Sequence, residues 1–123
     1  MTLAGRLIAE SLRVGSVLED ITLTVTKISR ADLGAVEAGQ PRTWTFVDFE
    51  AADEDAERLA VALERVLERV GGWYCDFRND DETFVVFAGR TLRYRRGDES
   101  GRIAAVEYGR SVGVPEAQLD WPV

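Results

Sequence analysis

The sequence predicts an α+β domain with a mixed, mostly antiparallel sheet of about five strands and a main helix packed on one face. Three observations lead to this prediction. Residues 21–28 alternate apolar and polar side chains, residues 53–70 carry an apolar stripe at helical spacing, and residues 73–96 contain three short β-rich runs. The predicted order of elements is ββαβββα after a short N-terminal helix, and residues 1–123 form a single domain.

The first half of the chain is predicted to supply one short helix and two strands. Helical spacing of the apolar residues in LAGRLIAESL predicts an amphipathic helix over residues 2–13. The stretch ITLTVTKI predicts a half-buried strand over 21–28, with its threonines on the outward face of an edge strand. Apolar side chains on both faces of TWTFVDFE predict an interior strand over 43–50. Residues 29–42 are long for a loop between two strands.

The second half begins with the clearest helix. In DEDAERLAVALERVLERVGG the apolar residues form one stripe at helical spacing. The acidic residues come first, where the positive N-terminal end of a helix dipole stabilises them, so the stretch predicts a helix over 53–70. A strand, this helix and another strand form a crossover, so strands 43–50 and 73–78 are expected to run parallel. Two strands and a weaker helix complete the fold, at 84–88, 91–96 and 101–112. Trp121 is expected to anchor the C-terminal tail.

The faces of the three later strands depend on two turns. Gly89 as the first residue of a two-residue turn predicts that Val85 pairs with Tyr94. A four-residue loop in NDDET would separate the apolar residues of strand 73–78 from those of the next two strands, whereas an odd loop places them on one face. The odd loop gives the larger single core, so we predict it. Cys75 then points inward as a small apolar residue, not as a nucleophile.

The opposite face of these strands is the predicted binding surface, and its polar residues are Tyr74, Asp76, Arg78, Arg93 and Arg95. Guanidinium groups beside a carboxylate and a phenol suit a small anion or a carboxylate-bearing ligand. The same residues also suit a contact with a partner protein or with a second copy of the chain. Alternatively, arginine stems cover the sheet while their charged ends stay in water. Because the inner strands are apolar on both faces, the second face must be covered by the terminal helices, a second copy or a ligand.

Composition excludes several classes of function. The chain contains no histidine, which removes Ser-His and Cys-His nucleophile pairs and histidine metal ligation. A net charge of −7 makes nucleic acid an unlikely partner, despite an arginine-rich run over 90–102. No G-x-x-x-x-G-K-[ST] or G-x-G-x-x-G motif occurs, so no cofactor is predicted. Acidic clusters at 53–55 and 80–82 lack EF-hand spacing, so no metal is predicted either.

The function predicted from these observations is protein binding without catalysis. The start of the chain shows no export signal, no apolar run is long enough to span a membrane, and a lone cysteine fits a reduced compartment, so a cytoplasmic location is expected. The leading prediction is an interaction or regulatory domain that binds a protein or forms a homodimer. The alternative is a small-anion binder or a histidine-free enzyme that uses the five residues of the predicted binding surface. Asp48 and Glu50 share one strand face, but without a third group to act with they are taken as solubilising residues rather than an acid–base pair.

Overall fold

The computed structural model describes residues 2–34 and 40–123, which form a six-stranded antiparallel sheet with an α-helix on each face. The helices are α1 (Ala56–Val66) and α2 (Glu99–Ser111). The order of strands across the sheet is β2-β3-β1-β4-β5-β6. In chain order the strands are β1 (Thr2–Ile8), β2 (Thr24–Asp32), β3 (Thr43–Ala52), β4 (Cys75–Arg78), β5 (Glu82–Phe87) and β6 (Arg90–Arg95).

The α+β class and the main helix on one face are confirmed, with six strands instead of about five. The additional strand is β1, so the predicted N-terminal helix over 2–13 is wrong. Leu3 and Leu7 lie four residues apart, and that spacing keeps two side chains together on a strand as well as on a helix. Gly5, between them, is packed so closely that a Cβ atom there would lie 2.6 Å from Cβ of Phe77. A central strand therefore fits this segment.

The predicted parallel orientation of the strands before and after α1 is confirmed, but another strand lies between them. Strands β3 and β4 both run antiparallel to β1, which lies between them, so they are parallel to each other without pairing. Every neighbouring pair in the sheet is antiparallel, so the sheet is not mixed. Helix α1 is shorter than the predicted 53–70 because Leu67 is extended and forms a β-bridge with Leu12. Part of the predicted 29–42 loop belongs to β2, and residues 35–39 lie outside the described residues.

The loop between β4 and β5 has an even length, so the predicted odd loop is wrong. Arg78 pairs with Thr83, which leaves four residues, 79–82, between them. The Asn79 side chain accepts the backbone N–H of Asp81 and of Glu82, both at 2.8 Å, which stabilises this turn. As a result Cys75 faces the same side as Val86, not Val85.

The β5–β6 hairpin is also displaced, by two residues. Val85 pairs with Leu92 rather than with Tyr94, because the turn is centred on Ala88 and Gly89 and Gly89 has a φ of 77°. A shift of two residues keeps each side chain on its predicted face. The prediction that all apolar residues of these strands share one face is wrong because of the β4–β5 loop alone.

The sheet consequently has two buried faces. On the α1 face, Cys75, Phe77, Phe84 and Val86 pack under helix α1. On the α2 face, the second core contains Val85, Phe87, Tyr94, Ala105, Leu119 and Trp121. Trp121 is 3% exposed, which confirms it as the anchor of the tail. Helix α2 and the tail cover β5 and β6, and they leave much of β1 and β3 uncovered on this face.

Candidate functional site

The structure divides the five predicted binding residues between the two faces. Tyr74, Asp76 and Arg78 lie on the α2 face. Arg93 and Arg95 lie on the α1 face, because Arg93 is opposite Phe84 and Arg95 is opposite Glu82. The predicted surface that joined all five residues does not exist, and the even β4–β5 loop is the reason. A binding role for the first three residues stays a prediction.

Arg93 connects helix α1 to the sheet. Its guanidinium lies 4.7 Å from the centre of the Phe84 ring and donates two hydrogen bonds of 2.9 Å to Glu82. A third bond, of 3.2 Å, reaches Glu57 on α1. The hydrogen bonds from Arg93 hold the pKa of Glu82 below its usual value. These contacts use three of the five N–H donors of Arg93, and Arg93 lies on the face opposite Asp76, so this arginine is not placed to bind a ligand together with Asp76.

A groove of about 870 Å³ opens on the α2 face where the helix and tail no longer cover the sheet. Its floor consists of β1, β3 and β4, and one wall is formed by tail residues 120–122. We call it the sheet groove and define it by six residues: Arg6, Asp48, Glu50, Tyr74, Asp76 and Arg78. It therefore retains three of the predicted residues and adds three from β1 and β3.

Two cross-strand rows order the charges in the sheet groove. In the first row, Arg6 on β1 lies opposite Asp48 on β3 and Asp76 on β4. Arg6 donates to both oxygens of Asp48, at 2.6 and 3.2 Å, and its guanidinium stacks 4.7 Å from the centre of the Phe46 ring. In the second row, Ala4 lies between Glu50 and Arg78 and lines the groove with a small apolar side chain.

The two aspartates of the first row differ in their environments. The hydrogen bond from Arg6 lowers the pKa of Asp48. Burial raises the pKa of Asp76, Arg78 at 3.5 Å opposes this shift, and the nearby Asp120 carboxylate adds to it. The groove therefore holds one well-paired carboxylate beside one that is costly to ionise.

Tyr74 has a supporting role in the groove wall. Its hydroxyl donates a 3.2 Å hydrogen bond to the carbonyl of Gln118, and its ring packs edge-on against Trp121 with centres 5.1 Å apart. Burial raises the pKa of Tyr74, which keeps the phenol neutral. Tyr74 thus holds the tail against the sheet and is unsuited to act as a base.

Carboxylates outnumber cations in the groove lining. Four of them, Asp48, Glu50, Asp76 and Asp120, lie against two guanidinium groups, Arg6 and Arg78. Each arginine contacts one carboxylate. Within residues 2–34 and 40–123, Glu50 and Asp120 take part in no ion pair and their side chains accept no hydrogen bond. The groove therefore has an excess of negative charge and two free acceptor groups.

Cys75 is a buried residue of the hydrophobic core, as the sequence predicts. It is 1% exposed in the core beneath α1, and its Sγ lies 3.4 Å from the carbonyl of Arg6. Burial raises the pKa of this thiol well above its usual value, so the thiolate is strongly disfavoured.

Sequence reasoning missed Arg6 and assigned no binding role to Asp48 or Glu50. Arg6 lies in the segment that was predicted as a helix, so its strand face was never assigned. Asp48 and Glu50 form a pair on one predicted strand face, but no local pattern in the sequence identifies the strand beside them. The usable signal was the alternation in TLAGRLI, in which Leu3 and Leu7 face one way and Arg6 the other.

Neither a family model, nor a curated protein, nor a solved structure matches this chain. In the part of the chain that the structure describes, no three histidine, cysteine or acidic side chains come together in a way that suits a metal ion. The same residues include no helix that is both long and apolar enough to cross a membrane.

Proposed function

We propose that this chain is a cytoplasmic, non-enzymatic protein-binding domain that takes a basic segment of a partner protein into the sheet groove. The observation that carries the proposal is the excess of carboxylates, with Glu50 and Asp120 free to accept hydrogen bonds. An arginine or lysine side chain from a partner supplies the missing positive charge and the missing donors.

The setting of the groove favours such a partner. A net charge of −7 attracts a basic segment from a distance, and the groove concentrates that field near its carboxylates. The small apolar side chain of Ala4 in the groove floor offers a surface for the aliphatic stem of a long cationic side chain. Arg6 does not repel the incoming cation fully because its own charge is offset by Asp48.

The same contacts argue against the small-anion alternative. The guanidinium of Arg6 is engaged by Asp48, that of Arg78 lies near Asp76, and Arg93 is held by two glutamates on the other face. An anion in the groove would have to displace these partners and approach two further carboxylates. Tyr74 is not available as the base of a histidine-free enzyme, because its hydroxyl donates a hydrogen bond to the carbonyl of Gln118 in the tail.

Peptide binding tests the proposal. We would measure fluorescence anisotropy of short labelled peptides that differ only in arginine, lysine, glutamine or glutamate at their central positions. The arginine and lysine peptides are expected to bind and the others are not. The double change Glu50→Gln with Asp120→Asn is expected to weaken binding about tenfold, or ~1.4 kcal/mol.

The matched control is Asp80→Asn with Asp81→Asn, which removes the same charge from an exposed turn outside the groove. This variant is expected to bind the arginine peptide as the parent does at equal ionic strength. Equal weakening by both pairs of changes would show non-specific attraction to an acidic surface, and failure of all basic peptides to bind would refute the proposal.

A further inference from the structure

Among the residues that the structure describes, strand β2 forms a free edge of the sheet. It pairs with β3 on one side, and all of its residues except Ser29 and Ala31 are exposed. The N–H of Leu33 donates to the carbonyl of Arg42 at 2.8 Å, which identifies Leu33 as a residue bonded toward β3. Because antiparallel pairs alternate, the backbone groups of three residues point away from β3: Ile28, Arg30 and Asp32.

A second contact supports this assignment. Thr45, the partner of Arg30 on β3, donates its N–H to Glu10 at 2.6 Å instead of to β2. Within residues 2–34 and 40–123, this edge therefore presents a regular set of unpaired N–H and C=O groups. Such a set is a template for another strand.

The usual protection of an edge is incomplete here. A bulge between Val25 and Lys27 distorts one end of β2, but residues 28–32 keep a regular register with β3. Ile28 is 65% exposed on the α1 face, beyond the reach of the core. The regular part of the edge thus combines unpaired backbone groups with an exposed apolar side chain.

We infer that a second copy of this chain pairs with β2 in antiparallel fashion, joining the two sheets into one of twelve strands. With a two-fold axis perpendicular to the sheet, one residue of β2 must lie directly opposite the same residue of the other copy. Any other register would pair side chains that point to opposite faces of the sheet. With Ser29 on the axis, Ile28 lies opposite Arg30 and Lys27 opposite Ala31 of the other copy. This register brings no like charges directly opposite each other.

Placing the two-fold axis at another residue of β2 is less favourable. Centring on Arg30 would place two guanidinium groups face to face. Centring on Ile28 would bring both bulges into the pairing, and centring on Ala31 would extend it beyond the end of β2. With Ser29 central, the outward N–H and C=O groups of Ile28 and Arg30 bond across the axis, and the stem of Arg30 covers Ile28.

The opposite edge of the sheet is less suited to such pairing. Strand β6 carries three arginines, Arg90, Arg93 and Arg95, and antiparallel copies centred on Arg93 or on Tyr94 would place two arginines directly opposite each other. The proposed dimer uses the β2 edge. It is independent of the sheet groove, so either proposal can fail without the other.

Cross-linking tests the register directly. Ser29→Cys places a thiol against its own copy, at a non-hydrogen-bonded pair whose short Cα separation suits a disulfide. The natural Cys75 is buried and does not compete. Under mild oxidation this variant is expected to form a covalent dimer, whereas Ser111→Cys, an exposed serine at the end of α2, is expected to remain monomeric. Equal cross-linking of the two variants would overturn the inference.

Light scattering after size exclusion tests the unmodified chain. The parent is expected to show twice its mass of 13.7 kDa as its concentration rises. Arg30→Pro removes an outward N–H without removing a backbone hydrogen bond to β3, and Ile28→Lys puts a second cation opposite Arg30, so both variants are expected to be monomers. A parent that stays monomeric throughout, or two variants that dimerise as the parent does, would refute the interface. Peptide binding in the groove is expected to survive both changes.

Discussion

The carboxylates of the sheet groove show how neighbouring residues on one surface acquire different chemistry. Asp48 and Asp76 lie on either side of Arg6, at the same level of the sheet. The side chain of Arg6 turns toward Asp48, so the bidentate bond and the lowered pKa belong to that aspartate. Asp76 is left with a longer contact to Arg78 and with the cost of burial. The orientation of Arg6 and the burial of Asp76 together separate the two acids.

Replacing Asp76 is expected to stabilise the protein near neutral pH. The pKa of Asp76 is higher in the folded protein than in the unfolded chain, so its ionisation costs stability above that pKa, and the cost disappears as the pH falls through it. Asp76→Asn should therefore raise the free energy of unfolding at pH 7, and the gain should shrink toward about pH 4, near the pKa of an unfolded aspartate. Urea denaturation at the two pH values measures this difference.

Asp48→Asn is the matched control because its sign is opposite. The lowered pKa of Asp48 contributes stability above the unfolded value, and this contribution is lost as the pH falls through the folded pKa. Asp48→Asn should therefore destabilise the protein at pH 7. If Asp76→Asn proved equally destabilising at that pH, the ion pair with Arg78 would outweigh burial, contrary to our interpretation.

At the scale of elements, the sequence predicted those whose own residues determine them. Helix α1 was predictable because its apolar stripe repeats over several turns, and the α2 helix was predicted nearly in place. Strand β1 was missed because two leucines four residues apart fit both periods. The predicted faces of the β4 side chains were wrong. Alternation determines which side chains share a face within one strand, whereas the faces shared with the next strand depend on whether the connecting loop has an odd or an even number of residues.

The same limit explains the partial prediction of the site. Tyr74, Asp76 and Arg78 alternate along one strand and were correctly grouped. Their true neighbours come from β1 and β3, which are distant in sequence, and no local pattern reports that pairing. The expectation of a single large core was also wrong, because this sheet has a core on each side.

Helix α2 approaches the sheet closely through glycine, and adding a methyl group there should be destabilising. A Cβ at Gly101 would lie 2.4 Å from Cβ of Tyr94, an atom fixed by the backbone of β6. Glycine to alanine within a helix ordinarily gains about 1 kcal/mol, whereas overpacking costs about 1–3 kcal/mol. We expect the clash to dominate, so Gly101→Ala should lower the free energy of unfolding by about 1 kcal/mol or more in urea denaturation.

Gly109→Ala gives the comparison on the same helix. Its Cβ would meet the ends of the Trp121 and Leu119 side chains, at 2.9 and 3.0 Å, and these belong to a tail that can shift. The loss of stability should be smaller than for Gly101→Ala. A Gly101→Ala variant as stable as the parent would show that α2 does not depend on this close contact.

On the scale of the whole molecule, one sheet separates two cores that share few side chains. Adjacent residues of β5 face opposite ways, so Val85 enters the core under α2 and Val86 the core under α1, and both are fully buried. The α2 layer is the smaller of the two, and the tail completes it. The carbonyl of Trp121 accepts a 2.6 Å bond from Arg102, and that of Pro122 accepts the hydroxyl of Tyr94. The wall of the groove is thus part of the smaller core.

Removing the tail anchor should therefore loosen one layer more than the other. Trp121→Ala empties a site that is 3% exposed, and truncations of this kind cost about 3–5 kcal/mol, a large share of the ~5–15 kcal/mol that stabilises a typical domain. Because Trp121 contacts the α2 core, hydrogen exchange should quicken more in the amides of α2 than in those of α1. Leu59→Ala, in the core under α1, should produce the reverse order. Equal acceleration in both helices, for both variants, would mean that the layers unfold as one cooperative unit, and the groove wall would then be as stable as the rest of the sheet.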